Sequence, residues 1–356
     1  MTFDISYSVL DRLIHRLAFM GSSIQFTAAD IEQRAFANTY DDISIVKPIF
    51  ITSLPRAGTT LMLEALHRLP SLATHIYRDM PFIMAPVLWD RLSSAFRKQS
   101  ELRERAHGDG MRVGFDSPEA FEEVLWRAFW PEKYAQDHIE LWEKGDVKEE
   151  ASDFIVDHMK KIISLRCPGR KDKARYISKN NGNIARLNLI KHMFPDAKLL
   201  VLVRDPFEHA VSLHRQHHNF IKMHQSEPFV RRYMEDIGHY EFGDLHKPIA
   251  FPGLSVWTSK WDPGSINYWV AYWIAAFEYI LGCRNSSILV SYEQICLTAE
   301  SGLSEICEQL EVDTEGKLGS IAALFHSPSA MGADPDFIDP LLKEKARELH
   351  RELLKH

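Results

Sequence analysis

A short apolar run that leads directly into a turn and then a helical pattern constrains the fold of this chain more than any other feature. Residues 48–52 form the apolar run, residues 53–58 supply the turn, and apolar residues recur at helical spacing from Leu61 to Leu69. A strand, a tight turn and a helix in this order present backbone N–H groups and the positive end of a helix dipole to an anion. The sequence therefore predicts a phosphate-binding loop at residues 53–60.

This loop departs from the phosphate loop of kinases at the lysine. In the kinase pattern GxxxxGK[ST], the lysine contacts the nucleotide phosphates and the next hydroxyl contacts Mg²⁺. Gly58 and Thr60 match that pattern, but Thr59 stands at the lysine position and the basic residue, Arg56, lies inside the turn. A nucleotide or small-molecule kinase is therefore an alternative function that the loop disfavours.

A second candidate anion site follows the apolar run at residues 198–203. Arg204, Asp205 and Pro206 come directly after this run, and Ser212 lies eight residues after the arginine within a helical pattern. A guanidinium at the end of a strand can bind a phosphate through two N–H groups, and a hydroxyl on the adjoining helix adds a neutral donor. A structural cap at the end of the strand is the alternative interpretation.

The alternation of strand and helix patterns predicts the fold class. Further strand patterns at 175–178 and 287–291 are each followed by a helical pattern, which indicates an α/β fold with a parallel sheet covered by helices on both faces. Residues 268–281 are apolar but too short for a membrane span, and we interpret them as a buried helix. We treat 1–356 as one domain with an N-terminal helical segment (1–45), an aromatic-rich helical insertion that covers a pocket (82–170) and a solvated C-terminal helix (340–356).

The two anion motifs resemble those of the sulfotransferases that use 3′-phosphoadenosine-5′-phosphosulfate (PAPS). The 5′-phosphosulfate loop of that superfamily is PKSGTT in cytosolic members and PRSGTT in tyrosylprotein and related bacterial members, and this chain has PRAGTT at residues 55–60. The superfamily also has Arg-Asp-Pro followed by serine at the spacing of Arg204 and Ser212. The resemblance, which is closer to the PRSGTT branch, implies a P-loop NTPase-like sheet, PAPS as co-substrate, 3′,5′-ADP as product and no metal.

The resemblance also implies roles for individual residues. Arg56 would contact the sulfuryl group and its bridging oxygen, and Arg204 with Ser212 would hold the 3′-phosphate. Tyr292 lies in a fragment similar to the YED element, whose tyrosine is near the adenine, although a buried structural tyrosine fits the fragment equally well. The residues expected to hold the 5′-phosphate through backbone and hydroxyl groups are Ala57, Gly58, Thr59, Thr60 and Leu61.

Sulfuryl transfer requires cations around the transferred group and a base for the proton of the acceptor. By resemblance Lys179 is the second cation, although the chain lacks the KxHxP and KxP patterns that often contain this lysine. The chain also lacks the RKGxxGDWK element that closes over the 3′-phosphate in cytosolic relatives. A structural ion pair between Asp79 and Arg78 is the alternative to a catalytic role for Asp79. The candidate bases, in order of preference, are Asp79, His75 and Glu122 or Glu123.

Composition and charge indicate which binding partners and which cellular location to expect. A net charge of −7 argues against a surface built for nucleic acid, and no apolar window is long enough to span a membrane. The four cysteines show no zinc-site spacing, so we expect reduced thiols in a cytoplasmic protein. His214 and His218 lie one helical turn apart without a recognisable third ligand, and we expect no metal site.

The sequence thus favours a sulfotransferase that acts on a hydroxyl or amine. A nucleotide-binding protein without catalytic activity is a further alternative, because the histidine and proline of the KxHxP pattern are missing. Aromatic and acidic residues of the insertion are compatible with a small-molecule, glycan, lipid or peptide acceptor.

Overall fold

A computed structural model describes residues 9–94, 103–104, 112–113, 116–326 and 337–355. The strands are β1 (Ile49–Thr52), β2 (Leu72–Ala73), β3 (Arg103–Glu104), β4 (Arg112–Val113), β5 (Arg175–Lys179), β6 (Lys198–Val203) and β7 (Ile288–Ser291). Five of them form a central parallel sheet in the order β2-β5-β1-β6-β7, and β3 pairs antiparallel with β4. The predicted α/β fold with a parallel sheet is confirmed.

The four strands predicted from apolar runs are all present in the sheet. In the centre, Ile49 of β1 is in register with Ile177 of β5 on one side and Lys198 of β6 on the other. All four residues of β1 are buried, as are the last five of β6, because both faces of a parallel sheet are covered. The edge strand β2 was not predicted, since two residues carry no recognisable periodicity.

Helices occupy much of the remaining described chain. They are α1 (Val9–Ala18), α2 (Ser22–Phe36), α3 (Thr59–Leu66), α4 (Pro86–Ser93), α5 (Glu123–Phe129), α6 (Glu149–Arg166), α7 (Leu187–Met193), α8 (Pro206–Ser226), α9 (Pro228–Asp236), α10 (Leu254–Thr258), α11 (Ile266–Gly282), α12 (Tyr292–Leu297), α13 (Ala299–Leu310), α14 (Leu318–Ala322) and α15 (Pro340–Leu353). Short 3₁₀ helices add single turns, among them Asn181–Arg186, which leads into α7.

Alternate side chains of the strands contribute to two separate cores, one on each face of the sheet. Ile49 and Ile51 pack with α3, α12 and α13, whereas Phe50 between them packs into the larger core that contains α6, α7, α8 and α11. This alternation follows from the two-residue period of a strand. The sheet therefore lies between two helical layers, and only the ends of its strands are available for a site.

In the described residues of 82–170, the α-helices are α4, α5 and α6, and irregular backbone with isolated 3₁₀ turns separates α5 from α6. Residues 95–102, 105–111 and 114–115 of the predicted helical insertion lie outside the described residues. Trp126, Trp130 and Trp142 are fully buried in the larger core, together with Phe121. These four rings stabilise the fold and cannot stack on an acceptor. The division of the chain into one domain with an insertion that covers the acceptor pocket remains a prediction.

The helix α15 differs from the solvated C-terminal helix that we expected. Leu342, Ala346, Leu349 and Leu353 form a buried stripe on it, and Lys345 pairs with Glu278 of α11 at 2.9 Å. The segment is rich in Glu, Lys and Arg, but it also has an apolar residue every three or four positions, which is the spacing of one helix face. The helix therefore packs on the domain through one face.

The apolar run at 268–281 lies in α11, most of whose residues are buried in the larger core. In the described parts of the chain, no helix combines the length and the apolar character needed to cross a membrane. All four cysteines are buried and free, as predicted.

Candidate functional site

The predicted phosphate loop connects β1 to α3 and contains two residues with positive φ. Arg56 has φ +73° and Gly58 has φ +92°, and Gly58 caps α3. A Cβ atom at Gly58 would lie 2.4 Å from Cδ2 of Tyr292, so both the backbone conformation and this ring require glycine. Tyr292 therefore packs tightly against the first anion motif.

The second anion motif contacts the first through three side chains. Nη1 of Arg204 donates to the carbonyl oxygen of Arg56 at 2.9 Å, and Nε of Arg56 donates to Oγ of Ser212 at 3.3 Å. The guanidinium of Arg204 also lies over the Tyr292 ring, 5.4 Å from its centroid. Because β1 and β6 are parallel neighbours, their carboxyl ends bring the two motifs to one edge of the sheet.

A buried histidine of α8, His209, contacts the loop from the side of the sheet core. Nε2 of His209 lies 2.8 Å from the carbonyl oxygen of Pro55, and since a carbonyl only accepts, Nε2 carries the proton. Burial and the nearby charge of Arg204 lower the pKa of His209 to about 3, so its ring is neutral. Oγ of Ser53 donates to the carbonyl oxygen of Leu202 at 2.6 Å and fixes the start of the turn.

The end of β5 brings a third segment to the same edge. Lys179, the last residue of β5, is in register with Ile51 of β1 and therefore lies beside the phosphate loop. Two residues further on, Asn181 accepts a hydrogen bond from Oγ1 of Thr59 at 3.3 Å through its side-chain oxygen. Its carbonyl oxygen accepts a second bond, 3.4 Å long, from Oγ1 of Thr52. Asn181 thus joins the β5 turn to the phosphate loop.

Glu122 lies beneath this turn and is fully buried. Its Oε2 accepts from Oγ of Ser178 at 3.2 Å and from Nδ2 of Asn183 at 3.0 Å. Burial raises the pKa of Glu122, and these hydrogen bonds offset part of that rise.

Glu123 supports the same turn through other partners. Its Oε2 accepts from Nδ2 of Asn180 at 2.7 Å and from Arg186, and its Oε1 accepts from the hydroxyl of Tyr134. The contacts of both glutamates therefore orient the segment that carries Asn181.

Asp79 and His75 lie in a buried cluster of their own. Asp79 pairs with Arg166, and its Oδ2 accepts from the backbone N–H of Ile76 at 3.0 Å and lies 3.2 Å from Nδ1 of His75. Nε2 of His75 lies 2.9 Å from Nε2 of His158. None of these partners belongs to the two anion motifs.

The contacts of Asp79 also determine its ionisation. Burial alone would raise the pKa of Asp79, but Arg166 and His75 together hold it below its ordinary value. Arg78, the pairing partner considered from the sequence, instead contacts Asp116. A carboxylate with both oxygens occupied and a lowered pKa is a weak proton acceptor.

A cavity of about 510 Å³ lies at the start of α8, against α15. Its lining residues are Asp205, Pro206, Phe207, Arg347, His350 and Arg351. Asp205 caps α8 by accepting from the backbone N–H groups of Phe207 and Glu208, and its own N–H donates to Glu293 at 2.9 Å. Arg347 and Arg351 of α15 therefore lie close to Asp205, the residue that follows Arg204 in the sequence.

The structure therefore brings Arg56, Gly58, Arg204, Ser212 and Tyr292 together. His214 and His218, the pair weighed as metal ligands, lie 3.0 Å apart between their Nε2 atoms. Over the described ranges, no group of three or more His, Cys, Asp or Glu side chains is arranged to hold a metal ion.

Known proteins share the sequence pattern and the fold of this chain. The model of a family described as the sulfotransferase family matches residues 48–247, which is more than half of the chain and includes β1, β5, β6 and α8. No curated protein sequence matches the chain.

Solved structures show the same fold at low sequence identity. Sulfotransferase STF1 from Mycobacterium tuberculosis H37Rv is 15% identical with a TM-score of 0.51, and the alignment covers 97% of this chain and 88% of STF1. Sulfotransferase STF9 from Mycobacterium avium is 12% identical with a TM-score of 0.51, and the alignment covers 99% of this chain and 87% of STF9.

Proposed function

Because the chain belongs to the sulfotransferase family, we propose that it transfers the sulfuryl group of PAPS to a hydroxyl or amine and releases 3′,5′-ADP. The observation that carries this proposal is the direct contact between the two anion motifs, in which Arg56 bonds Ser212 and Arg204 bonds the backbone of Arg56. A ligand with anionic groups at both its 5′ and 3′ ends fits two linked cationic sites better than a nucleoside triphosphate does.

The 5′ end of PAPS would bind the phosphate loop. Residues 57–61 include the start of α3, where backbone N–H groups and the helix dipole favour an anion. The positive φ of Arg56 and of Gly58 folds the turn. At Arg56, which has a Cβ atom, this conformation is strained, and such strain is characteristic of functional loops. The hydroxyl of Thr60 would add a neutral donor. The hydroxyl of Thr59 donates to Asn181 in the structure, so Thr59 would contribute its backbone N–H.

The 3′-phosphate would bind between Arg204 and Ser212. In the structure Ser212 accepts from Arg56, and Tyr292 packs against both Gly58 and Arg204. These contacts support a position of the tyrosine between the two proposed phosphate sites, where it would support the loop and limit the adenine-binding space.

Transfer itself requires charge stabilisation and alignment more than covalent catalysis. Arg56 is the proposed cation at the sulfuryl group and the bridging oxygen, and Lys179, beside the loop at the end of β5, is the second. Asp79 and His75 remain the bases proposed from the sequence, but their buried contacts favour a structural role.

Calorimetry with 3′,5′-ADP, AMP and ATP·Mg tests the donor. We expect 3′,5′-ADP to bind most tightly without metal, because only this ligand engages both sites. Tighter, metal-dependent ATP binding would instead support a kinase. Binding of 3′,5′-ADP without transfer from PAPS to any acceptor would support a protein that binds the nucleotide without catalysis.

A variant pair locates the 3′-phosphate site. Arg204→Gln should weaken binding of 3′,5′-ADP by about tenfold or more, since a charge-assisted hydrogen bond contributes about 1.5–3 kcal/mol, while AMP affinity changes little. Arg215→Gln is the matched control, because Arg215 is an exposed arginine on the same helix α8. Equal losses for both ligands in Arg204→Gln would show that Arg204 supports the loop rather than the 3′-phosphate.

A further inference from the structure

Two consecutive carbonyl groups of the phosphate loop are held by side chains from outside the loop. The carbonyl oxygen of Pro55 lies 2.8 Å from Nε2 of His209, and the carbonyl oxygen of Arg56 accepts from Nη1 of Arg204 at 2.9 Å. Because a peptide group is planar, a hydrogen bond to its carbonyl oxygen restrains the orientation of the whole group. The two peptide planes that flank the Cα atom of Arg56 are therefore both anchored.

These two anchors determine the backbone conformation of Arg56. The φ and ψ angles of a residue describe how its flanking peptide planes are rotated about Cα. Arg56 has φ +73°, in the left-handed region that a residue with a Cβ atom avoids. The cost of this conformation and the loss of a hydrogen bond to a buried carbonyl are of the same order, so the loop depends on each anchor. Relaxation to negative φ would redirect the Cα–Cβ bond of Arg56 and move its guanidinium.

Of the two anchors, His209 lies where no substrate reaches. Its side chain is fully buried, whereas Arg204 is proposed to contact the 3′-phosphate. His209 precedes Ser212 by three residues in α8, so both side chains extend from one face of the helix. Ser212 accepts from Nε of Arg56 at 3.3 Å. This face of α8 therefore restrains both the backbone before Arg56 and its side chain.

The surroundings of His209 keep its ring a neutral donor. Nε2 carries the proton, and within the described residues Nδ1 has no hydrogen-bond partner. Burial, the charge of Arg204 and that of Arg56 lower the pKa of His209 to about 3, because a second proton would add an unpartnered charge beside two guanidinium groups. The imidazole thus holds the carbonyl of Pro55 without adding a third positive charge to the site.

Other histidines of α8 contact segments outside the loop. Nε2 of His214 lies 2.8 Å from the carbonyl oxygen of Gly264, and Nδ1 of His217 accepts from the backbone N–H of Gly243 at 3.2 Å. In the described part of the chain, His209 is the histidine of α8 with a hydrogen bond to the phosphate loop. Its contact is therefore not a general feature of this histidine-rich helix.

We propose that His209 is a positioning residue of the transfer, which acts through the carbonyl of Pro55 to hold Arg56 where its guanidinium meets the sulfuryl group. This proposal rests on the proposed sulfotransferase activity and on the role of Arg56 in it. His209 touches no substrate and exchanges no proton. Loss of its N–H should therefore lower the rate of transfer more than the affinity for 3′,5′-ADP, because this product carries no sulfuryl group.

The test compares His209→Met with His209→Gln. Both new side chains are unbranched and similar in length, but only glutamine has an N–H donor for the carbonyl of Pro55. The maximal rate at saturating ³⁵S-labelled PAPS is measured with cell extract as the acceptor pool, alongside calorimetry with 3′,5′-ADP. We expect His209→Met to lower this rate by about 10–100-fold and the affinity by less than about threefold. His209→Gln should stay within about threefold of the wild-type rate.

Two further variants show whether the effect passes through Arg56. His214→Met is the matched control, because it removes a histidine bonded to a carbonyl outside the loop, and it should retain the wild-type rate. In an Arg56→Ala background, His209→Met should cause no further loss of rate. A second loss of similar size in that background would show that His209 does not act through Arg56.

A measurement on the wild-type protein applies even if His209→Met does not fold. In ¹⁵N NMR of histidine-labelled protein, the His209 signal is assigned by its absence from His209→Gln. It should show a neutral Nε2–H tautomer from about pH 5 to pH 8, the range in which an ordinary histidine changes its charge. A protonated ring in this range, or an Nδ1–H tautomer, would overturn the proposal.

The outcomes also separate this proposal from the proposed function. An unchanged maximal rate in His209→Met, or equal losses of rate and of 3′,5′-ADP affinity, would overturn the role of His209 and leave the sulfotransferase proposal intact. No transfer by wild-type protein that binds 3′,5′-ADP would overturn the proposed function and with it this role.

Discussion

Replacing Gly58 with alanine tests whether the phosphate loop is built around the contact between Gly58 and Tyr292. An alanine Cβ would lie 2.4 Å from Cδ2 and 2.5 Å from Cε2 of the Tyr292 ring, at a residue with φ +92°. The left-handed backbone costs about 1–2 kcal/mol for a residue with a Cβ. Displacing the packed ring costs about 1–3 kcal/mol more. The free energy of unfolding should therefore fall by about 2–5 kcal/mol.

A double-mutant cycle with Tyr292→Ala separates these two contributions. In the Tyr292→Ala background the added Cβ meets no ring, so Gly58→Ala should cost only the backbone term of about 1–2 kcal/mol. Urea denaturation followed by circular dichroism measures all four proteins. Gly145→Ala is the control, because no atom lies within 4 Å of its added Cβ, and we expect a change within about 0.5 kcal/mol.

The coupling free energy between the substitutions at Gly58 and Tyr292 tests this prediction. Equal costs of Gly58→Ala in both backgrounds, within the roughly 0.5 kcal/mol typical of independent sites, would show that the ring does not constrain the loop. Binding of 3′,5′-ADP should weaken in Gly58→Ala and recover in part in the double variant, since the displaced ring also contacts Arg204.

Three further predictions concern neighbouring groups. Ser212→Ala should weaken 3′,5′-ADP by about fivefold in calorimetry, through loss of one hydrogen bond of about 1 kcal/mol, and leave AMP affinity unchanged. Asp79→Asn should lower the free energy of unfolding in urea by about 3 kcal/mol at pH 7, because Arg166 loses its buried partner. Since the pKa of Asp79 is lowered in the folded protein, the difference from wild type should shrink as pH falls below about 4. Arg351→Gln in α15 should weaken 3′,5′-ADP relative to AMP by about fivefold if the cavity beside Asp205 admits the 3′-phosphate. A ratio of the two affinities equal to that of the wild-type protein would exclude this.

Sequence patterns predicted the parts of the fold whose signal is local. β1, β5, β6 and β7 are short apolar runs, and α11 is an apolar stretch with one acidic residue, so their burial is encoded in consecutive residues. The two-residue strand β2 has no such signal. The burial of Trp126 and Trp142 could not be predicted either, because a ring in the core and a ring facing a ligand have the same local sequence.

The anion motifs of the candidate site could also be predicted from consecutive residues, since each lies within a few residues of a strand end. The surroundings of the candidate bases are not local, because they come from distant segments. Asp79 and its partner Arg166, for example, are 87 residues apart in sequence. A neighbour in sequence, Arg78, was the pairing partner considered for Asp79, but in the folded chain Arg78 contacts Asp116.

The strand order explains why the segment after β2 is a poor source of the base. Asp79 follows β2, the edge strand, and β5 lies between β2 and the strand β1 that carries the phosphate loop. Adjacent strands are about 4.8 Å apart, so the end of β2 is displaced by about 10 Å from the end of β1. The turn after β5 is one strand away, and its Asn181 contacts Thr59 of the phosphate loop directly. The end of β2 is therefore farther from the proposed site of transfer than the turn after β5, which makes Asp79 a poor candidate for the base.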